Sequence, residues 1–273
     1  MKFWWNETDE NEMGLLLTEL INQLRDDHMS RHTLNLDMLR MYTQRDYDGM
    51  GRVDSSNNVS GEDYRMRMNV IGNITDTLVS RIGKNRPKPM YLTKRGDYKL
   101  RQNAKRLTDV MEGIFYQTGI YDVMPKIFQD SCIFDMACMK IGREGSELFV
   151  ERVFPNEMLW DQNASMYSDM PPSMHQVKSI PLETLILQFP EREEELRYSA
   201  ATDDKMSSEE GHEAEMVECV ESWHLPSTND AEDGRHVIHM DTVILVDEEY
   251  TYTSYPFVFM NWGDSLIGFA GIS

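Results

Sequence analysis

The chain has 273 residues, of which 40% are hydrophobic and 27% charged, a composition typical of a soluble globular protein with a sizeable core. It carries 27 Lys and Arg against 47 Asp and Glu, which gives a formal net charge of −20. Such an acidic chain cannot coat nucleic acid or anionic lipid over its whole surface, so any such contact must be local. The three Cys residues have no paired spacing, which favours a reducing compartment over a disulfide framework.

The charge is unevenly distributed along the chain. Residues 1–60 have a net charge of −5, residues 61–150 of +4 and residues 151–273 of −19. Positive charge is concentrated in residues 81–106, where ten cations stand against the single acid Asp97. These cations are Arg81, Lys84, Arg86, Lys88, Lys94, Arg95, Lys99, Arg101, Lys105 and Arg106.

Apolar residues at helical spacing dominate the first half of the chain. This spacing predicts helices at about 12–28, 34–42, 64–84, 98–117 and 121–134. The first two are expected to be separated by a break near Ser30, and 49–61 is expected to be a polar loop. Pro87 and Pro89 follow the third helix, and 90–93 is expected to form a short edge strand.

Beyond Gly145 the pattern becomes that of β-strands. Strands are predicted at about 148–154, 158–160, 176–180, 216–225 and 237–246, with short helices at 181–189 and 191–198. Residues 199–215 are acidic and polar, and we expect a loosely packed loop there. These patterns predict an α+β fold, in which a helix-rich first half packs with a mixed, mainly antiparallel β region.

The sequence offers no convincing catalytic set. It contains neither a glycine-rich loop followed by Lys and Ser or Thr, nor a dinucleotide-binding fingerprint. His236 and His239 lie close to Asp241, but an odd offset along a strand places the two rings on opposite faces, so we interpret them as surface histidines. Cys132 and Cys138 lack the spacing of zinc ligands. We therefore predict a protein that is not an enzyme, with no cofactor and no metal site.

The basic segment supports two interpretations. Its cations Arg81, Lys84, Arg86, Lys88, Lys94 and Arg95 are candidates for contact with DNA phosphates. Alternatively they pair with the acidic 191–215 stretch, within one subunit or between neighbours, while Lys105 pairs with Asp109 one helical turn away. We favour the second interpretation, and the sequence leaves both open.

Several landmarks, in order, resemble the portal proteins of tailed bacteriophages. The helix that contains Asn69 leads into the turn Lys84-Asn85-Arg86-Pro87, and the two together are similar to the Asn-bearing helix and Lys-Asn-x-Pro turn of that family. Val153 to Asp161 resembles its Pro-x-Glu-x-x-x-Asp turn, and Glu218–His224 and Tyr255–Gly263 look like the strands that end the portal wing. Together the landmarks cover most of residues 60–273.

The resemblance implies a structural protein that forms a ring, expected to be a dodecamer, at one vertex of the capsid. Viral DNA is packaged and ejected through such a ring. The implied partners are further copies of the chain, the major capsid protein, terminase, tail or adaptor proteins and double-stranded DNA, with no membrane. The implied location is the virion, and the host cytoplasm during assembly.

By the same resemblance, the chain divides into an N-terminal helical segment (1–60), a helical part of the wing with the basic segment (61–145) and an α/β part of the wing (146–273). The stem, clip and crown of the family are expected to be absent from this chain. The alternatives are another head–tail adaptor protein, a metal-dependent nucleic-acid-processing enzyme that uses carboxylates of the C-terminal half, and a DNA-binding regulator.

Overall fold

The computed structural model describes residues 3–43, 69–94, 96–166, 170–202, 215–228, 231–263 and 268–269, together with the backbone of 47–48 and 52–53. Its helices are α1 (Glu10–Thr43), α2 (Val70–Gly83), α3 (Tyr98–Gln117), α4 (Ile120–Phe134), α5 (Leu182–Gln188) and α6 (Glu193–Thr202). Its strands are β1 (Tyr47–Asp48), β2 (Arg52–Val53), β3 (Met136–Glu144), β4 (Glu147–Val153), β5 (Met158–Leu159), β6 (Ser173–Pro181), β7 (Met216–His224), β8 (Arg235–Met240), β9 (Val243–Glu249) and β10 (Phe257–Asn261).

All the paired strands are antiparallel. They form a two-stranded sheet of β1 and β2, a three-stranded sheet in the order β10-β3-β4 and a five-stranded sheet in the order β5-β6-β7-β8-β9. The predicted α+β class is therefore confirmed. Among the described residues, no helix combines the length and the apolar character that crossing a membrane requires.

The chain divides into two compact units. The first takes its described residues from 1–32, 156–255 and 265–270, and the second from 33–155, 256–264 and 271–273.

The first unit is built on the five-stranded sheet, and helices cover both faces of that sheet. Val217 and Cys219 are two residues apart on β7 and pack with apolar residues of α5 and α6. Val220 points to the opposite face, where it packs with Ile21 and Leu24 of α1. The alternating apolar pattern of β7 thus serves two cores, one on each side of the sheet.

Helix α1 is continuous through Ser30, so the predicted break there was wrong. A serine inside a helix costs only roughly 0.5 kcal/mol relative to alanine, which tertiary contacts easily outweigh. Those contacts involve Trp160. The Nε2 atom of the buried His28 lies 2.8 Å from the Trp160 carbonyl oxygen, and the Arg31 guanidinium lies 4.6 Å from the centre of the indole ring.

The second unit is built on the three-stranded sheet. Helix α4 packs on β3 and β4, and α2 packs on α4. Gly119 links α3 to α4 with a φ of +65°, a left-handed conformation that favours glycine. Asp135 leads from α4 into β3, and its carbonyl oxygen accepts a hydrogen bond of 2.8 Å from the Trp262 amide, which fixes the end of β10 beside the helix terminus.

Three further expectations about secondary structure need correction. The single strand expected at 237–246 is the hairpin β8–β9, because Asp241 adopts a φ of +50° and turns the chain. Residues 90–93 are not a strand, and the Tyr91 amide donates to the Thr108 hydroxyl instead of to a ladder. The loop expected at 199–215 does not start at Ser199, because α6 continues to Thr202 and Ser199 is buried. The rest of that stretch, 203–214, lies outside the described residues.

Three cysteines and three histidines are held largely out of water. Cys138 and Cys219 are buried, Cys132 is half-buried, and none of these three described residues forms a disulfide. His175, His224 and His239 are buried in the first unit. The interpretation of His239 as a surface residue was therefore wrong, and its partner His236 stacks on Trp223 with the ring centres 5.1 Å apart.

Each of these three histidines makes a hydrogen bond through its Nδ1 atom. His175 bonds to the Ser222 hydroxyl, His224 to the Ser173 hydroxyl and His239 to the Asp241 carbonyl, each at 2.8 Å. Burial lowers the pKa of His175 to about 3 and that of His239 to about 4, and it also lowers the pKa of His224. The rings are therefore neutral in the folded protein at pH 7.

We predict that the free energy of unfolding falls as the pH is lowered from about 6.5 towards 4. In this window the unfolded chain takes up protons on these histidines, whose ordinary pKa is 6.5, while the folded chain does not. His239 alone contributes a loss of about 3 kcal/mol once the pH is below its folded pKa, at roughly 1.4 kcal/mol per pH unit. Urea unfolding at pH 7.5, 6.0 and 5.0 measures the effect. His239→Asn keeps an Nδ1-like donor and should show a shallower decline, whereas equal stability of the native chain at all three pH values would contradict the prediction.

Candidate functional site

Helix α2 leaves its largest apolar residues uncovered. The helix begins at Asn69, whose side-chain oxygen accepts a hydrogen bond of 2.8 Å from the Gly72 amide. A Cβ atom on Gly72 would lie 2.6 Å from the Asn69 amide nitrogen, so the cap requires glycine there. The buried residues of α2 are the small Gly72 and Thr75, whereas Val70, Ile71 and Ile74 are 52–58% exposed. The helix therefore packs through its small residues and exposes a stripe of β-branched side chains, Val70, Ile71 and Ile74, to solvent.

Helix α3 has the same property to a greater degree. Its amide at Tyr98 donates to the Asp97 side chain at 2.7 Å, and the helix has no buried residue. Leu100, Leu107 and Val110, which lie on its apolar side, are all more than half exposed. Contiguous apolar surface of this kind is typical of a contact with another molecule.

The candidate cations lie at the end of α2 and in the segment that leads to α3. Arg81, Lys84, Arg86, Lys88 and Lys94 are all exposed, while Arg95 lies outside the described residues. Lys88 forms an ion pair with Glu112 of α3, which raises the pKa of the lysine. The Arg86 guanidinium lies 5.7 Å from the centre of the Tyr121 ring.

The remaining three candidates, Arg81, Lys84 and Lys94, have no ion-pair partner in the part of the chain that the structure describes. The expected pair of Lys105 with Asp109 is also not formed between these two described residues.

The acids expected to face the basic segment are partly engaged elsewhere. Glu193 pairs with Arg197 and Glu195 with Arg192, each at 3.0 Å, all within α6 and the turn before it. Glu191 and Glu194, in contrast, are exposed and make no ion pair within the described residues. The stretch therefore retains free negative charge as well as internal pairs.

An apolar cavity of about 260 Å³ opens beside the last turn of α2. It is lined by apolar residues from α2, α4 and β10 and by the proline-containing segment, notably Ile82, Pro87, Tyr121, Met124, Phe128 and Met260. Ile82 is also one of the exposed apolar residues of α2, so this one side chain borders both the cavity and the exposed surface of the helix. Sequence reasoning missed this cavity, because only tertiary packing brings Met260 next to α4.

Comparison with known families decides what kind of chain this is. The family model described as phage P22-like portal protein matches residues 52–265. The chain belongs to this family. Among curated proteins, none matches the sequence.

The family assignment of this portal chain agrees with the resemblance found in the sequence, since the landmark segments lie inside the matched range. In the structure these landmarks are a helix cap, turns and strands: Glu218–His224 lies in β7, and Tyr255–Gly263 contains β10. Asn69 caps α2, and Pro155–Glu157 forms a 3-10 turn that leads into β5. Asp161 accepts a hydrogen bond of 2.8 Å from the Asn163 amide. The portal family is a structural one, and in the described residues no group of three His, Cys, Asp or Glu side chains lies close enough to hold a metal ion.

An ion pair between a buried carboxylate, Asp130, and a partly exposed arginine, Arg152, holds α4 of the portal chain on its sheet. Asp130 of α4 is 1% exposed and accepts two hydrogen bonds from the Arg152 guanidinium of β4. Burial raises the pKa of Asp130, and Arg152 opposes that rise. Because α2 and the cavity are both built on α4, this pair positions the exposed apolar surface.

We predict that Arg152→Met lowers the free energy of unfolding at pH 7 by about 3 kcal/mol, because it leaves the Asp130 carboxylate buried without a partner. The loss should shrink at lower pH, where that carboxyl takes up a proton. The control is Arg143→Met on the neighbouring strand, whose exposed guanidinium donates to the Gly145 carbonyl and has no other partner among the described residues, and which should change stability by no more than about 0.5 kcal/mol. Urea unfolding measures both variants, and equal small losses would contradict the prediction.

Proposed function

We propose that this chain is the subunit of a portal ring at one vertex of a phage capsid, through which viral DNA is packaged and later ejected. The observation that carries the proposal is the match to the P22-like portal family over 52–265, a range that holds α2, α3 and the basic segment. A ring of twelve copies is the assembly we expect.

The exposed surface supports an assembled state. A chain that stayed monomeric would gain nothing from leaving β-branched residues of α2 and leucines of α3 in water. Covering them in a ring removes apolar area from solvent, which is the main favourable term in protein association. The uncovered helices are therefore what a subunit of a larger assembly should have.

The charge of the chain supports a role as a conduit. A net charge of −20 repels the phosphate backbone of duplex DNA over most of the surface. A duplex that must move past the protein in both directions should not be held tightly, because each phosphate neutralised by a cation adds to the binding free energy. A ring of acidic subunits meets that requirement.

Partners and location follow from the proposal. The ring would contact the major capsid protein, terminase and tail or adaptor proteins, in the host cytoplasm during assembly and afterwards at the capsid vertex of the virion. Packaging energy would come from the terminase. Residues 61–145 would form the helical part of the wing and 146–273 its α/β part, preceded by an N-terminal helical segment at 1–60.

We predict that the purified protein forms rings with a central channel in negative-stain electron micrographs and has the mass of a ring by sedimentation. It should not hydrolyse ATP, since the sequence lacks a phosphate-cradling loop. It should also not cleave DNA when Mg²⁺ or Mn²⁺ is added.

Two results would contradict the proposal. One is a monomer that persists across the concentrations used for imaging. The other is divalent-dependent cleavage of nucleic acid that disappears when a carboxylate of this chain is substituted, since that would favour a nucleic-acid-processing enzyme. Substitution in the chain is the control that separates its own activity from a contaminant.

A further inference from the structure

The exposed surface of α2 and α3 combines two chemistries. Ile71 and Ile74 stand on the same side of α2, which ends in the exposed cations Arg81 and Lys84. On α3 the exposed Leu107 is flanked in the same way by basic residues, including Lys105 and Arg106. We use the name basic-apolar face for the exposed apolar residues of α2 and α3 together with Arg81 and Lys84.

This mixture favours a protein partner over a duplex. Phosphate contacts need cations and hydrogen-bond donors, and they gain nothing from isoleucine and leucine side chains. Protein interfaces combine an apolar centre with a charged rim. The basic-apolar face has both components, so DNA contact is the weaker of the two interpretations that the sequence left open.

Charge identifies the partner as another copy of the same chain. The basic-apolar face belongs to a segment of positive charge, whereas residues 151–273 have a net charge of −19. Two copies that met through identical basic faces would repel each other. A head-to-tail contact instead joins the basic face of one copy to an acidic surface of the next, and such a contact repeats until a ring closes.

The short stretch that includes α5 and α6 offers the matching surface. Leu187 of α5 is 82% exposed, and it is followed within a few residues by Glu191 and Glu194, which make no ion pair with any residue that the structure describes. Glu193 and Glu195 are already paired with arginines of their own unit. The stretch therefore combines an exposed apolar anchor with free carboxylates, the same composition as the basic-apolar face with the opposite sign.

We propose that the basic-apolar face of one copy binds the α5–α6 surface of the next, with Arg81 and Lys84 opposite Glu191 and Glu194. The inference rests on the proposed function, because it names the surfaces through which ring subunits meet. It adds a direction to the assembly, since the two surfaces are different and each copy uses both.

The apolar part of the contact is tested by Ile71→Gln together with Ile74→Gln. Both positions are more than half exposed, and glutamine is a good helix former, so the fold should be retained. We expect the protein concentration needed for ring assembly to rise by about tenfold or more. The control is Leu148→Thr on β4, another exposed aliphatic residue, which should assemble like the native chain.

The charged part is tested by mixing two variants. Arg81→Glu with Lys84→Glu makes both contact surfaces acidic, and Glu191→Lys with Glu194→Lys makes both basic, so each variant alone should fail to form rings. In a one-to-one mixture every head-to-tail contact again joins opposite charges. The mixture should therefore assemble, with the two variants alternating around the ring.

The outcomes separate this inference from the proposed function. If the native chain forms no ring, the proposed function itself fails. If the native chain forms rings but the charge variants also assemble alone, or the mixture is not rescued, the assigned surfaces are wrong while the portal function stands. Charge variants that assemble normally but bind duplex DNA more weakly, with a reduced salt dependence, would overturn the inference in favour of DNA contact. Equal losses in the Ile71 and Ile74 variant and the Leu148 control would also overturn it.

Discussion

The second unit depends on the attachment of α4 to its sheet. Asp130 is buried and bonded through both carboxylate oxygens to Arg152, and this pair fixes the helix on β4. The guanidinium is partly exposed but the carboxylate is not, so the two parallel hydrogen bonds fix the geometry with which the helix meets the strand. α2 packs on α4, and the loop before α3 reaches α4 through the contact of Arg86 with Tyr121. The attachment of α4 therefore helps to position the exposed apolar residues of α2.

Helix α2 packs through one side and leaves the other exposed. α4 contacts both the sheet and α2. The buried residues of α2 are the small Gly72 and Thr75, whereas Ile71 and Ile74 are exposed. The side of α2 that is buried within the chain thus carries small residues, and its large β-branched residues are left in water.

Much of the fold could be predicted from the sequence, and the errors have physical causes. The bounds of α3 were correct because Asp97 and Gly119 mark its two ends chemically. The continuity of α1 through Ser30 was missed, since it depends on contacts with Trp160 more than a hundred residues away. Periodicity also identified the apolar residues of α2, but it could not show that its small residues would be the buried ones. The cavity beside Ile82 needs β10 next to α4, which no local pattern encodes.

The low exposure of the three cysteines has a consequence for the chain in an oxidising medium. Cys138 and Cys219 are buried, and burial raises the pKa of the half-buried Cys132. Thiol oxidation and disulfide exchange proceed through the thiolate, so a thiol kept protonated reacts slowly. Cross-links between copies of the chain should therefore form slowly even where oxygen is present. Slow oxidation is in this case a result of how the core is packed.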